Sequence, residues 1–147
     1  MASLPNEADR RILIVDDEAD VLDFLKIYLE SLGWHATLAS STAEAFAQLE
    51  TGPFFLILTD IAMPEMDGYE FISKLREKKI PSKVMLMTGF GYNPKHTLIK
   101  IYKSSKIPCL FKPFNRVKLS ESVQQMYEEY NKGLAGETPP ASAPQNS

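Results

Sequence analysis

A doubly wound α/β fold on a parallel sheet follows from three features of this sequence. Short apolar runs alternate with amphipathic helical stretches along most of the chain. Four of the five runs are apolar almost throughout, as strands covered on both faces require. Capping and stop residues punctuate the helical stretches between them. Strict alternation of this kind calls for right-handed crossovers, and so for a single parallel sheet.

The elements follow in order. Ile12-Leu13-Ile14-Val15 is the first strand, and the helix after it carries the stripe Val21, Leu22, Leu25, Tyr28, Leu29 and Leu32, stopped by Gly33. Trp34 to Ala39 is the weakest run and suits an edge strand. Ser41-Thr42-Ala43-Glu44 has the form of a capping box for a second helix, which buries Phe46 and Leu49 and ends at Gly52-Pro53. Phe54 to Leu58 is the third strand. Asp67 and Glu70 can cap a third helix whose inward residues are Phe71, Ile72 and Leu75. Val84 to Met87 is the fourth strand. Asn93-Pro94 has the chemistry of a helix start, which places Leu98, Ile101 and Tyr102 on one side of a fourth helix. Ile107 to Phe111 is the fifth strand, and Asn115 caps a fifth helix with the stripe Leu119, Val123, Met126, Tyr127 and Tyr130.

The 147 residues suffice for one domain with a real core. Residues 1–10 read as an extension and 11–132 as the domain. After Lys132 the composition turns to Gly, Ala, Pro and Ser without periodicity, so 133–147 reads as a disordered tail. That tail is too short for a DNA-binding unit, and a net charge of -3 offers no field to hold a polyanion. Direct nucleic-acid binding is therefore not expected. The start, MASLPNEADRR, has no apolar stretch resembling a signal sequence, and no apolar run is long enough to span a bilayer. A cytoplasmic protein without membrane contact is expected. Cys109, the single cysteine, has no internal disulfide partner and reads as a buried thiol.

In an open α/β sheet, ligands sit beyond the carboxyl ends of the strands. Asp16 and Asp17 follow the first apolar run, Thr59 and Asp60 the third, Thr88 and Gly89 the fourth, and Lys112 and Pro113 the fifth. Crowded carboxylates repel one another and call for a counter-charge. A hard divalent cation with oxygen ligands supplies it, with Mg2+ favoured. Asp60 is then a candidate nucleophile toward a phosphoryl group, with Thr88 and Lys112 placed to bind its oxygens and Gly89 leaving the approach open. Taken singly, each of these residues has a plainer role as a cap, a turn residue or a solvated side chain. Their convergence on one sheet edge is what points to phosphoryl chemistry.

From about Arg11 to Tyr130 the sequence resembles the response-regulator receiver family. The stretch carrying most of the resemblance is Leu58-Thr59-Asp60-Ile61-Ala62-Met63-Pro64-Glu65-Met66-Asp67-Gly68. Ile14-Val15-Asp16-Asp17-Glu18, Met87-Thr88-Gly89 and Phe111-Lys112-Pro113-Phe114 match the family's other segments. The resemblance implies a flavodoxin-like five-stranded sheet of order 2-1-3-4-5 with five helices. It implies phosphorylation of Asp60 by a phosphohistidine on a sensor histidine kinase or histidine phosphotransfer protein. Mg2+ (or Mn2+) would be bound directly by Asp17, by Asp16 mainly through water, by Asp60, and by the backbone carbonyl of Ala62. Thr88 and Lys112 would hold the phosphoryl oxygens, and Lys112-Pro113 would be a cis peptide. Without an output domain, the chain would act as a single-domain regulator, a monomer or phosphorylation-dependent dimer. It would switch a partner protein or pass the phosphoryl group on in a phosphorelay, and would catalyse nothing beyond its own phosphorylation and dephosphorylation.

Two departures from the family pattern stand out. Cys109 occupies a position where members carry Tyr or Phe as part of the switch. Ala62 and Phe90, which by resemblance flank the attacking water, offer no polar side chain for dephosphorylation. Loss of regulated switching is the alternative that Cys109 motivates. A small-molecule phosphohydrolase is a third reading, and Ala62, where a second acid would stand, argues against it.

Overall fold

The computed structural model describes residues 10–60, 68–88, 109–111 and 115–136. The strands are β1 (Arg11–Val15), β2 (His35–Ala39), β3 (Leu56–Asp60), β4 (Lys83–Thr88) and β5 (Cys109–Phe111). They form one parallel sheet of order β2-β1-β3-β4-β5. The helices among the described residues are α1 (Ala19–Ser31), α2 (Thr42–Leu49), α3 (Gly68–Glu77) and α4 (Arg116–Gly136). The helix expected after Asn93 falls outside the described residues. Helix α4 runs to Gly136, past Lys132 where the domain was expected to end.

Strand alternation sorts the core into two layers. Ile12, Ile14, Leu56, Leu58, Met85 and Met87 face α1 and α4, where Leu25, Leu29, Leu119 and Val123 meet them. Leu13, Val15 and Ile57 face the other way, toward Ala45 of α2 and Phe71 and Leu75 of α3. Ala45 is the most deeply buried residue of α2, because its small side chain lets the helix approach the sheet, while Phe46 packs edge-on to Phe71 with ring centroids 5.2 Å apart. An aromatic group closes the first layer near the amino ends of the strands. Trp34 and Tyr127 lie 5.0 Å apart, and Phe55 lies 5.2 Å from Trp34 and 5.0 Å from Tyr127.

Two consecutive arginines close the sheet's amino edge, one on each face. Arg10 lies 4.4 Å over Trp34 and donates from Nε to the Gly33 carbonyl at 3.0 Å. Arg11 points the opposite way, 4.0 Å over Phe54, and donates to Thr51 Oγ1 at 2.9 Å. The residue assigned to the end of the N-terminal extension is thus packed against the core.

Local chemistry sets the helix boundaries. Ser41 caps α2 by accepting from the Glu44 N–H, but the Glu44 carboxylate reaches Ser40, accepting from its N–H at 2.7 Å and its hydroxyl at 2.9 Å. The expected capping box is therefore displaced by one residue on its return arm. Asn115 Oδ1 accepts from the Lys118 N–H at 3.0 Å, as an N-cap should. Helix α1 ends in a left-handed turn at Gly33 (φ 98°), where Gly33 and Trp34 donate to the carbonyls of Glu30 and Leu29. Helix α3 ends with the same bonding pattern, yet the left-handed position is held by Lys79 (φ 58°).

That contrast gives a prediction. Lys79→Gly should stabilise the fold by about 1 kcal/mol by removing the Cβ penalty, while Gly33→Ala should destabilise it by about 1–2 kcal/mol. Urea midpoints at constant m-value check both signs.

Candidate functional site

The strand register decides which side chains meet. Val15 pairs with Thr59, so Asp16 continues β1 to the level of Asp60, the last residue of β3. Asp60 pairs with Met87, and Thr88 pairs with Phe111. The ends of β1, β3, β4 and β5 therefore converge on one edge. Lys112 directly follows Phe111 in sequence, but it lies outside the described residues, as do Ala62, Gly89 and Pro113. Thr88 contributes its backbone to β4, and its side chain is likewise outside them.

At the described part of this edge, Asp16, Asp17 and Asp60 bring carboxylate oxygens within 4.8 Å of one another. Asp16 is fully buried and Asp60 nearly so at 8% exposure, while Asp17 stands in solvent. The buried member is held in place: Asp16 Oδ1 accepts from the Glu18 N–H at 2.9 Å, and the Asp16 N–H donates to the Ala39 carbonyl at 3.1 Å. The first of these bonds forms a short turn that launches α1 with no side-chain cap of its own. An Asp pair after a strand can serve merely as a helix cap, and here Asp16 does support the helix start. It does so while its carboxylate remains grouped with the other two.

Two like charges at such spacing repel by roughly 3–4 kcal/mol at an effective dielectric of about 20. Three acidic oxygen donors at the mouth of a sheet, two of them buried, suit a hard divalent cation, and the residues present fit Mg2+.

The family model for the response regulator receiver domain matches residues 12–124. The chain belongs to the response regulator receiver family. This receiver is 36% identical over 117 residues to the response regulator receiver protein CpdR of Brucella abortus (strain 2308), which covers 80% of the present chain and 96% of that protein. Among solved structures it is similar to a CheY-like response regulator receiver domain protein from Methanospirillum hungatei JF-1. That likeness has a TM-score of 0.73 and 30% identity, covering 84% of this receiver and 97% of the other chain. The beryllofluoride-activated NtrC4 receiver domain dimer is similar too, with a TM-score of 0.71 and 30% identity over 82% of this chain and 98% of that one. Membership makes this a signalling domain of two-component systems, of a family that binds Mg2+ at an acidic pocket and meets histidine kinases or phosphotransfer proteins. Among the described residues no helix is long and apolar enough to cross a membrane.

Cys109, at the start of β5, is half-buried rather than fully buried, because β5 is an edge strand. Burial pushes its thiol up to about 11, with the Asp60 carboxylate adding to the shift. The receiver thus has a neutral, polarizable group within the field of Asp60. Sequence reasoning singled out this position but not its electrostatic coupling to Asp60, which only the β4–β5 register reveals.

Because thiolate is the reactive form, Cys109 should alkylate slowly at neutral pH and accelerate only as pH climbs toward 11. Asp60→Asn should shift that profile to lower pH by less than burial shifts it upward. An iodoacetamide rate-against-pH series checks both; a profile centred at the ordinary thiol value would contradict the assignment.

Proposed function

We propose that this receiver is a single-domain response regulator that takes a phosphoryl group from a phosphohistidine donor onto Asp60 in a Mg2+-dependent reaction. The observation carrying the proposal is the grouping of Asp16, Asp17 and Asp60 within 4.8 Å at the carboxyl edge of the sheet. The near-complete alignment with the Brucella receiver protein supports the single-domain reading.

Asp60 ends β3, a strand paired on both sides, so its carboxylate is positioned by the sheet and not by a loop. One of its oxygens attacks phosphorus in line; the P–N bond to the donor imidazole breaks, and that nitrogen leaves with the electron pair and takes up a proton. Asp16, Asp17, Asp60 and the carbonyl of Ala62 would hold Mg2+ (or Mn2+), which, when bound, neutralises charge on the phosphoryl oxygens. Lys112 and Thr88 would bind the same oxygens, Gly89 would leave room for them, and Pro113, in cis linkage, would orient Lys112. Asp16, fixed through the Glu18 N–H, keeps its oxygens facing the site. The added charge beside Thr88 would bias the surface toward a downstream partner protein or a further phosphotransfer step. Cys109, smaller than the ring it replaces, leaves Thr88 as the moving part of the switch.

Incubation with acetyl phosphate and Mg2+ should add one phosphoryl mass to the wild type and none to Asp60→Ala, by intact-mass spectrometry. Equal labelling of both would sink the proposal. The phosphoryl lifetime should depend chiefly on access, since Ala62 and Phe90 have no group to activate water. Ala62→Asn should therefore change the measured lifetime by about tenfold or more, and an unchanged lifetime would remove the role assigned to this position.

A further inference from the structure

Positive charge is not spread evenly along this chain. Between Lys74 and Lys118 lie twelve of its 16 Lys and Arg residues and, in Glu77, one of its 19 Asp and Glu residues. The net charge of -3 therefore averages a strongly basic stretch against an acidic remainder, and understates the field over that stretch.

Much of the described part of this stretch gathers near the amino end of β4. Lys74, Arg76, Lys78 and Lys79 are all exposed at the close of α3 and in the turn after it. Lys74 and Arg76 have a plain role there, since a helix carboxyl end favours cations. Lys78 lies 5.4 Å over the Phe46 ring. Lys79 has neither role. It holds a left-handed turn (φ 58°) that glycine adopts at lower cost, and its side chain makes no ion pair or ring contact among the described residues. Backbone strain kept beneath an uncommitted cation points to a use for the charge.

Beside these cations a groove of about 480 Å3 opens between α3, the start of β4 and the middle of α4. Among the described residues Leu75, Ile80, Val84 and Met126 give it an apolar lining. Its charged residues are Arg76, Lys83 and Glu129. Glu129 is engaged within the fold, accepting from Gln125 at 2.9 Å and lying 3.8 Å from Lys83. Arg76 has no ion pair among the described residues. A nucleic acid suits this site poorly, because its backbone is anionic throughout while Glu128 and Glu129 stand exposed on the α4 side. An acidic protein segment suits it well. One apolar side chain can enter the groove while neighbouring carboxylates meet the cations on the α3 side.

We propose that this groove docks a short acidic segment of a partner protein, with a Leu, Ile or Phe anchor against Leu75, Val84 and Met126 and carboxylates on Arg76 and Lys79. Lys83 begins β4 and Thr88 ends it, so the groove and the phosphoacceptor edge lie at opposite ends of one strand, roughly 17 Å apart. Docking here leaves Asp60 open to a phosphoryl donor. It goes beyond the phosphoacceptor reading and does not depend on it, so Asp60→Ala should dock as the wild type does.

Selection from displayed random segments of about twelve residues, with the full chain as target, tests the docking. Recovered segments should combine Asp or Glu with Leu, Ile or Phe. A labelled one should bind with a Kd between about 10 µM and about 1 mM by fluorescence anisotropy, more weakly as salt is raised. Arg76→Glu with Lys79→Glu should weaken that binding by about tenfold or more. Arg116→Glu with Lys118→Glu makes the same change in net charge at the first turn of α4, and should alter binding by less than about twofold. Lys79→Gly separates docking from stability: it should raise the urea midpoint and yet weaken binding by about threefold. Urea midpoints verify the fold of every variant, and if Arg76→Glu with Lys79→Glu fails that check, Lys79→Gly decides. Recovered segments without acidic residues, or equal losses in the two double variants, overturn the proposal. So does binding unchanged by Lys79→Gly and by Arg76→Glu with Lys79→Glu. A single-stranded DNA that displaces the segment and is itself lost with Arg76→Glu and Lys79→Glu also overturns it, giving the patch to a nucleic acid.

Discussion

Mutual repulsion among Asp16, Asp17 and Asp60 is the constraint that the rest of this receiver is organised around. Two of these carboxylates are withdrawn from water, and all three hold oxygens within 4.8 Å of one another. Such an arrangement is unfavourable by itself, and it persists only where the surrounding fold leaves no easier conformation. Here the surroundings are the two buried apolar layers on either face of β1 and β3. The cost of the site is met by burial elsewhere, and the stored repulsion gives a cation a reason to bind.

The division of labour among the three acids follows from where the strands stop. Asp60 is still inside the hydrogen-bonded ladder, so its backbone cannot relax away from its neighbours. Asp16 lies one residue past the β1–β2 register, yet its N–H still donates to the Ala39 carbonyl of β2 and its carboxylate accepts from the Glu18 amide. Among the described residues Asp17 has neither restraint, and it is exposed, which suits a ligand that must exchange water. A gradient of rigidity thus runs across the site, from the central strand outward to the start of α1.

Much of this was legible in the sequence because it rests on period and punctuation. The five strands, their alternation with helices, the Asn115 cap and the Gly33 stop were all readable, since each depends on a residue type at a fixed offset. The acidic group was readable too, because strand ends in a parallel sheet share one edge. What escaped depends on distances in space. That Ala45, not Phe46, lies deepest in α2 reflects how closely that helix approaches the sheet. That Glu44 turns to Ser40 instead of completing its own cap depends on where β2 releases the chain. The half-burial of Cys109 comes from the place of β5 at the sheet edge, which an apolar run of five residues does not announce. The left-handed Lys79 gave no signal at all, since nothing in its chemistry distinguishes it from Lys78 just before it.

Arg10 and Arg11 have a bearing on the opposite end of β1. Their guanidinium groups lie on aromatic rings on opposite faces of the sheet, one over Trp34 and one over Phe54. A slip of β1 by a single residue would turn each of them away from its ring and toward the wrong layer. The same slip would exchange the environments of Asp16 and Asp17, drawing the solvent-facing acid inward and expelling the anchored one. Two cations at the far end of a five-residue strand therefore act as a molecular key for its alignment, and the order of the acid pair is inherited from theirs.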